Sequence, residues 1–270
     1  MLTMSAATAV APGFAAKDMA DDPDGIAMIQ FPEFVKPAIE KALARFREWK
    51  GDDETVVFPV VSDLHAEGEP KLKVPVTGID WWDSKIHLLY ACCAARAFES
   101  DFFADLGDIG MDRWQKGGLP SWESHMQPRL EIQYRLYRGM KMPIVFAVGN
   151  HDLGHTQKTI TTREWGELFN LRQKKERVGA TELGPDGDYG FLDLAAKKTR
   201  VLFLNTTSTG AMGKGISRAQ TAWADKAVAG TPPGWRLVVL SHICLHRNMG
   251  RWLPETLERP DGEGFRKAMK

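Results

Sequence analysis

The sequence predicts one α/β domain, and the spacing of its apolar runs is the first reason. Residues 56–61 and 102–106, and the run that begins at Val145, are apolar enough to form buried strands, with helical patterns between them. The second reason is that each run stops at polar residues capable of chemistry. Open α/β sheets build their sites at the carboxyl ends of strands, so these ends predict one shared site. At 270 residues the chain can bury a full core, and one large domain is favoured over two.

The charge balance narrows the possible partners. Lys and Arg together number 35, as do Asp and Glu, so nothing indicates a general binder of nucleic acid or of membrane surfaces. The hydrophobic share of 43% is ordinary for a globular protein. No apolar run in the sequence approaches the roughly 20 residues that a membrane-spanning helix needs.

The N-terminal segment raises the question of export. Residues 1–16 are uncharged, rich in small side chains, and end in an Ala pair that a signal peptidase could accept, but they lack a basic n-region. We therefore predict that residues 1–18 are the remnant of an export signal, with a disordered Ala-rich terminus as the alternative. The corresponding locations are the periplasm or the exterior of the cell, or else the cytoplasm. Residues 19–270 would form the domain.

The first strand is preceded by a helix and followed by two ligand-type residues. Residues 34–49 carry apolar side chains at helical spacing, which predicts a packing helix that ends near Gly51. Asp63 and His65 lie two residues apart just past the strand, and they can point the same way because side chains alternate along an extended chain. Taken alone, they would be better explained as a helix-capping Asp and an exposed His.

The segment between the first two strands contains a long connection and a helix. Residues 66–82 are long for a connection inside a compact domain, and their aromatic residues either roof a substrate site or cover the core. A helix is predicted over residues 84–100. The strand at 102–106 then leads to Gly107 and Asp108, where the glycine would keep the turn open for close approach to a metal ion.

The three cysteines are predicted to be structural. Cys92 and Cys93 are adjacent in a helical pattern, are poorly placed to bond each other, and are expected to fill core space. Cys244 is assigned a structural role as well.

The third run leads to the densest group of chemical side chains. Gly149 permits a tight turn, after which Asn150, His151 and Asp152 offer an amide oxygen, an imidazole and a carboxylate. Residues 154–177 give no clear geometry. Further along, strands are predicted at 189–194, 199–205 and 236–240, with a helix at 217–228 that Ser217 would cap.

Four short motifs in this order resemble the calcineurin-like metallophosphoesterases. They are Asp-x-His at 63–65, Gly-Asp at 107–108, Gly-Asn-His-Asp at 149–152 and Ser-His at 241–242, so the resemblance covers about residues 56–246. The resemblance implies a sandwich of two mixed β-sheets between helices. It also implies hydrolysis of a phosphomonoester or phosphodiester with two metal ions, which would be manganese, iron or zinc. The expected substrate is a small phosphate ester or a nucleotide.

The resemblance also assigns roles to individual residues. Asp63 and His65 would bind the first ion, Asp108 would bridge both ions, and Asn150 and His242 would bind the second. His151 would stay off the metals and donate to the leaving group or to the transition-state oxygens. Asp152 would orient His151.

One element of the family pattern is absent from the sequence. No Gly-His-x-His follows His242, and the remaining histidines near the motifs, His155 and His246, are interpreted as loop residues. We therefore expect a domain that is truncated at its C-terminus. The alternative function is a catalytically weak or inactive metal-binding domain with a structural or interaction role.

Overall fold

The computed structural model describes residues 36–49, 54–65, 81–109, 134, 137–140, 142–153, 160–176, 179–207 and 215–243. Its elements, in chain order, are α1 (Lys36–Trp49), β1 (Val60–Val61), α2 (Trp81–Ala97), β2 (Phe103–Asp105), β3 (Ile144–Phe146), α3 (Thr162–Leu168), α4 (Asn170–Lys175), β4 (Glu182–Leu183), β5 (Gly190–Leu194), β6 (Thr199–Leu204), α5 (Arg218–Ala229) and β7 (Arg236–Ser241). The predicted export-signal remnant, Cys244, His155 and His246 lie outside the described residues. Among the described helices, none combines the length and the apolar character needed to cross a bilayer.

The strands form two sheets, as predicted. The first has the order β1-β2-β3 and the second the order β4-β5-β6-β7. In the second sheet β4, β5 and β6 pair antiparallel and β6 pairs parallel with β7, so this sheet is mixed. The described strands of the first sheet are all parallel, although we expected a mixed sheet. Parallel pairing follows because the chain between β1 and β2 includes helix α2, which serves as the crossover that parallel neighbours require.

Helices α2 and α3 pack on the face of the first sheet that points away from the second sheet. Side chains of Phe103, Ile144 and Phe146 share one buried cluster with α2 and α3. Helix α2 contributes Leu88 and Cys92 to this cluster, and Cys92 is fully buried, which confirms its predicted core position. Because side chains alternate along β2 and β3, Ala104 and Val145 point to the opposite face of the sheet.

Two further clusters complete a layered sandwich. Ala104 and Val145 face the second sheet, where they share a core with Val201 and Phe203 of β6. The other face of β6 packs against α5, in a cluster that holds Leu202, Leu204, Ala224 and Ala227. The layers are therefore helices, sheet, sheet and helix, which confirms the predicted α/β sandwich. Fully burying each large apolar side chain contributes about 1.5–3 kcal/mol to this arrangement.

Most predicted elements are present with shifted ends. The first strand is limited to Val60–Val61, and the predicted cap is confirmed because Ser217 accepts a hydrogen bond from the Gln220 N–H at the start of α5. Helix α1 forms as predicted but buries none of its described side chains, and its contact with the end of α2 is an edge-on pair of Phe46 and Phe98.

Helices α3 and α4 occupy the stretch that the sequence left unassigned. Thr161 and Glu164 form a capping box at the start of α3, a signal that is visible in the sequence as Thr-x-x-Glu. Helix α4 uses two buried carboxamides to cover the free edge of β3. Gln173 bonds the N–H and C=O of Ile144, and Asn170 bonds those of Phe146. These bonds satisfy backbone groups that an edge strand otherwise leaves unpaired.

Candidate metal centre

The loops that follow β1 and β2 are hydrogen-bonded to each other. The N–H of Asp63 donates to the carbonyl oxygen of Gly107 at 2.9 Å, and the N–H of His65 donates to that of Asp108, also at 2.9 Å. Two consecutive carbonyls of the second loop therefore hold both polar residues of the first motif.

Two glycines allow the loops after β2 and β3 to touch. A Cβ on Gly149 would lie 2.0 Å from the Asp108 nitrogen, and a Cβ on Gly107 would lie 2.3 Å from the Gly149 nitrogen. Gly107 also has a φ of +99°, which residues other than glycine rarely adopt. Only glycine at these two positions permits the observed approach.

Three polar residues adopt left-handed backbone conformations at the same place. The φ angles are +56° at Asp63, +43° at His65 and +54° at Asp108. Each such conformation costs on the order of 1–3 kcal/mol and is typical of functional sites. From the alternation of side chains along a strand, we expected Asp63 and His65 to converge. They do converge, with His65 Nε2 lying 3.7 Å from Asp63 Oδ1, but the left-handed turn of the backbone brings them together.

The Asp108 carboxylate lies at the centre of the cluster. Its Oδ1 accepts a hydrogen bond of 2.8 Å from the His151 N–H. Its Oδ2 lies 3.7 Å from Nε2 of His65 and 3.4 Å from Nε2 of His242. One carboxylate oxygen thus faces imidazoles that come from two different sheets.

His242 joins the cluster from the end of β7. Its Nδ1 donates to the carbonyl oxygen of Leu106 at 3.0 Å, which directs Nε2 toward Asn150 Oδ1, also at 3.0 Å. Burial lowers the pKa of His242, but the carboxylates of Asp108, Asp152 and Asp63 outweigh that effect and raise it to about 9. The three carboxylates therefore favour the positively charged form of the His242 imidazole in the metal-free chain.

The Asp152 carboxylate joins the loop that follows β2 to the loop that follows β3. Its buried carboxylate accepts hydrogen bonds from the N–H groups of Asp108 (3.0 Å), Ile109 (2.8 Å) and Gly149 (2.8 Å). The sequence suggested no such backbone role. The imidazole of His151 lies edge-on to that of His65, with ring centroids 5.0 Å apart.

The donor atoms suit hard or borderline metal ions. The ligand atoms of Asp63, Asp108 and His242 all lie within 4.8 Å of one another. His65 directs Nε2 at the carboxylates of Asp63 and Asp108, so Nε2 is the nitrogen placed to bind a cation there. Among the residues that the structure describes, the donors here are carboxylates, an amide and imidazoles, which suit ions such as manganese, iron or zinc. We use "metal centre" below for the candidate site formed by five residues that the structure brings together: Asp63, His65, Asp108, Asn150 and His242.

One buried carboxylate beside the turn at Gly107 was not predicted from the sequence. Asp105 interrupts the apolar run at 102–106 and is fully buried beside Tyr137. A carboxylate inside an otherwise apolar strand was the signal that could have identified it.

Comparison with known proteins places the fold. No protein-family model matches this chain, and no curated protein sequence is similar to it. Among solved structures, a dimetal phosphatase from Danio rerio matches with a TM-score of 0.54 and 12% sequence identity, covering 78% of this chain and 76% of that one. At this identity the similarity is one of fold: the chain has the two-sheet α/β architecture of a dimetal phosphatase.

Proposed function

We propose that this chain is a metal-dependent phosphoesterase that uses two metal ions to hydrolyse a phosphomonoester or phosphodiester. The observation that carries the proposal is the position of the Asp108 carboxylate, which lies between the imidazoles of His65 and His242. The oxygen that faces both imidazoles is Oδ2, and one carboxylate oxygen has two lone pairs with which it can contact two cations. The fold shared with a dimetal phosphatase supports the same conclusion.

The five residues of the metal centre divide into two groups around Asp108. Asp63 and His65 would hold one ion, Asn150 and His242 would hold the other, and Asp108 would contribute to both. When bound, such ions activate a water molecule as the nucleophile and neutralise charge on the phosphoryl oxygens. The contact with His65 is the main reason that the pKa of Asp63 falls to about 2, so this ligand is ionised at all ordinary pH values.

His151 is the proposed proton donor. Its backbone N–H is fixed on Asp108 Oδ1, so the residue is held against the metal centre independently of its imidazole. The imidazole would donate a proton to the leaving-group oxygen. Asp152 would orient His151 through the backbone, because it anchors Gly149, two residues before the histidine.

The substrate class follows from charge and from the metal chemistry. Two cations held by these residues would contact the phosphate of an ester, and the balanced net charge of the chain does not indicate a general nucleic-acid binder. We therefore propose small phosphate esters or nucleotides as substrates. The metals would be manganese, iron or zinc.

The test is hydrolysis of 4-nitrophenyl phosphate and bis(4-nitrophenyl) phosphate by protein loaded with manganese, with the metal content measured by mass spectrometry. We expect turnover that chelation abolishes and manganese restores. Asp108→Asn should lose both metal and turnover, whereas Asp225→Asn, the same change on the exposed face of α5, should lose neither. Metal bound without turnover on any ester would instead identify a metal-binding domain with a structural or interaction role. Two ions still bound to Asp108→Asn would refute the bridging role.

A further inference from the structure

Asp105 is a buried carboxylate to which the proposed reaction assigns no role. It is the last residue of β2, has no exposed surface, and lies among the apolar residues of the first sheet. Burying a carboxylate is unfavourable unless hydrogen bonds compensate it. The position of its two oxygens therefore needs an explanation.

Each oxygen of Asp105 accepts one hydrogen bond. Oδ1 accepts from the Gly107 N–H at 3.0 Å, and Oδ2 accepts from the Tyr137 hydroxyl. Tyr137 is itself fully buried, and its ring packs edge-on against Phe103 and Phe146, with centroids 5.4 and 5.0 Å away. The hydroxyl is thus held in place by the core, and it holds the carboxylate in turn.

The hydrogen bond to Gly107 connects this pair to the metal centre. Gly107 is in the left-handed conformation, and its carbonyl oxygen accepts from the Asp63 N–H. The next residue is Asp108, whose carbonyl oxygen accepts from the His65 N–H. A chain of contacts therefore runs from the Tyr137 hydroxyl through Asp105 and the turn to three of the five metal-centre residues.

We propose that Asp105 and Tyr137 are positioning residues of the metal centre, which act by fixing the turn of Gly107 and Asp108. The proposal rests on the proposed function for its effect on metal affinity, but its effect on the turn can be measured without metal. Burial raises the pKa of Asp105 to about 7, and the bonds from Tyr137 and Gly107 oppose that rise. The hydrogen bonds from Tyr137 and Gly107 therefore favour the ionised carboxylate of Asp105, which is the stronger hydrogen-bond acceptor.

Tyr137→Phe removes only the hydroxyl, and Tyr134→Phe is its matched control. Tyr134 is also buried, in the same core cluster, but its hydroxyl donates to Glu176 at 2.9 Å and not to the metal-centre network. Amide hydrogen exchange at Asp63, His65 and Gly107, followed by NMR on metal-free protein, reports the turn. Isothermal titration with manganese chloride reports the metal centre.

We expect Tyr137→Phe to accelerate exchange at these three amides by about tenfold and to weaken manganese binding by about 10–100-fold. Tyr134→Phe should match the wild type in both measurements. Unchanged exchange in Tyr137→Phe overturns the proposal. Faster exchange with unchanged manganese affinity also overturns it, because the metal centre would then not depend on the turn.

If the wild type binds no manganese, the proposed function fails, and the exchange comparison alone decides whether the pair fixes the turn. If Tyr137→Phe does not fold, Asp105→Asn replaces it, because the carboxamide keeps an oxygen for Gly107 but loses the charge that strengthens the bond. A smaller acceleration at Gly107 then supports the proposal, and exchange at the wild-type rate overturns it.

Discussion

Replacing Gly107 with alanine tests whether the close contact between loops, and not merely a left-handed glycine, makes the metal centre. A left-handed conformation costs about 1–2 kcal/mol for a residue with a Cβ. At Gly107 the added Cβ would also lie 2.3 Å from the Gly149 nitrogen and 2.8 Å from the Ala147 oxygen, so backbone must move. Overpacking of this kind costs a further 1–3 kcal/mol or so. Gly107→Ala should therefore lower the free energy of unfolding by about 2–5 kcal/mol.

Gly234→Ala is the matched control, because Gly234 has a φ of +80° and no atom lies within 4 Å of the position that a Cβ would take there. It lies at the other end of β7 from His242. This variant should lose only the conformational term, about 1–2 kcal/mol. Since about 1 kcal/mol shifts the melting temperature of a domain of roughly this size by 2–4 °C, calorimetry can separate the two variants.

Metal binding gives the sharper contrast. The Gly107 carbonyl holds Asp63, so a displaced turn separates Asp63 from Asp108, and we expect manganese affinity to fall at least as far as the roughly 10–100-fold typical of lost supporting contacts. Gly234→Ala should bind manganese like the wild type. Equal losses of stability and equal manganese affinity in the two variants would refute the argument that the loop contact builds the site.

Three further predictions address the proton donor, the charge of the site and the sheet edge. His151→Ala should keep its metal ions but lose about 10²- to 10⁴-fold in turnover, and loss of an ion in metal analysis would show that the residue is a ligand. The pKa of His242 is raised from 6.5 to about 9 in metal-free protein, so the stability it contributes is complete below pH 6.5 and is lost as the pH rises through 9. Urea unfolding should show that the free energy of unfolding of the wild type falls by roughly 3 kcal/mol between pH 6 and pH 10, and that His242→Gln lacks this loss. An equal loss in both proteins would contradict the raised pKa. Gln173→Leu should lower the free energy of unfolding by about 1–3 kcal/mol because it leaves the backbone of Ile144 unpaired. Lys174→Leu on the same helix should be nearly neutral. Similar urea midpoints for the two variants would show that the carboxamide does not stabilise the sheet edge.

The fold was accessible to sequence reasoning because its signals are local. Strands end where apolar runs end, and the cap at Ser217 depends on residues three apart in sequence. The resemblance to a known family supplied the layering of the two sheets. Helices α3 and α4 were missed, since Asn170 and Gln173 are polar residues that face inward, and a pattern that equates polar with exposed cannot detect them.

The residue types of the candidate site could be predicted from the sequence, but their arrangement in space could not. The residue types at the strand ends indicated which side chains would meet, and the structure brings all five together. Their left-handed backbones could not be predicted, because Asp63 and His65 are held in that conformation by carbonyls of a loop more than 40 residues away. Asp152 shows the same limit, because two of its three backbone contacts are with Asp108 and Ile109, which are more than 40 residues away in sequence.

The register of the sheets explains why these loops converge at one point. Val61, Asp105 and Phe146 are paired across the first sheet, so β1, β2 and β3 end at the same level. The motif residues then follow within two to four positions, which confines Asp63, Asp108 and Asn150 to one edge. Ser241 pairs with Leu204 at the end of the second sheet, and His242 reaches across to the carbonyl of Leu106. A shift of β2 by one residue would turn Asp105 away from Tyr137 and toward the second sheet, and would move Asp108 away from both imidazoles, so strand register and metal affinity should be lost together.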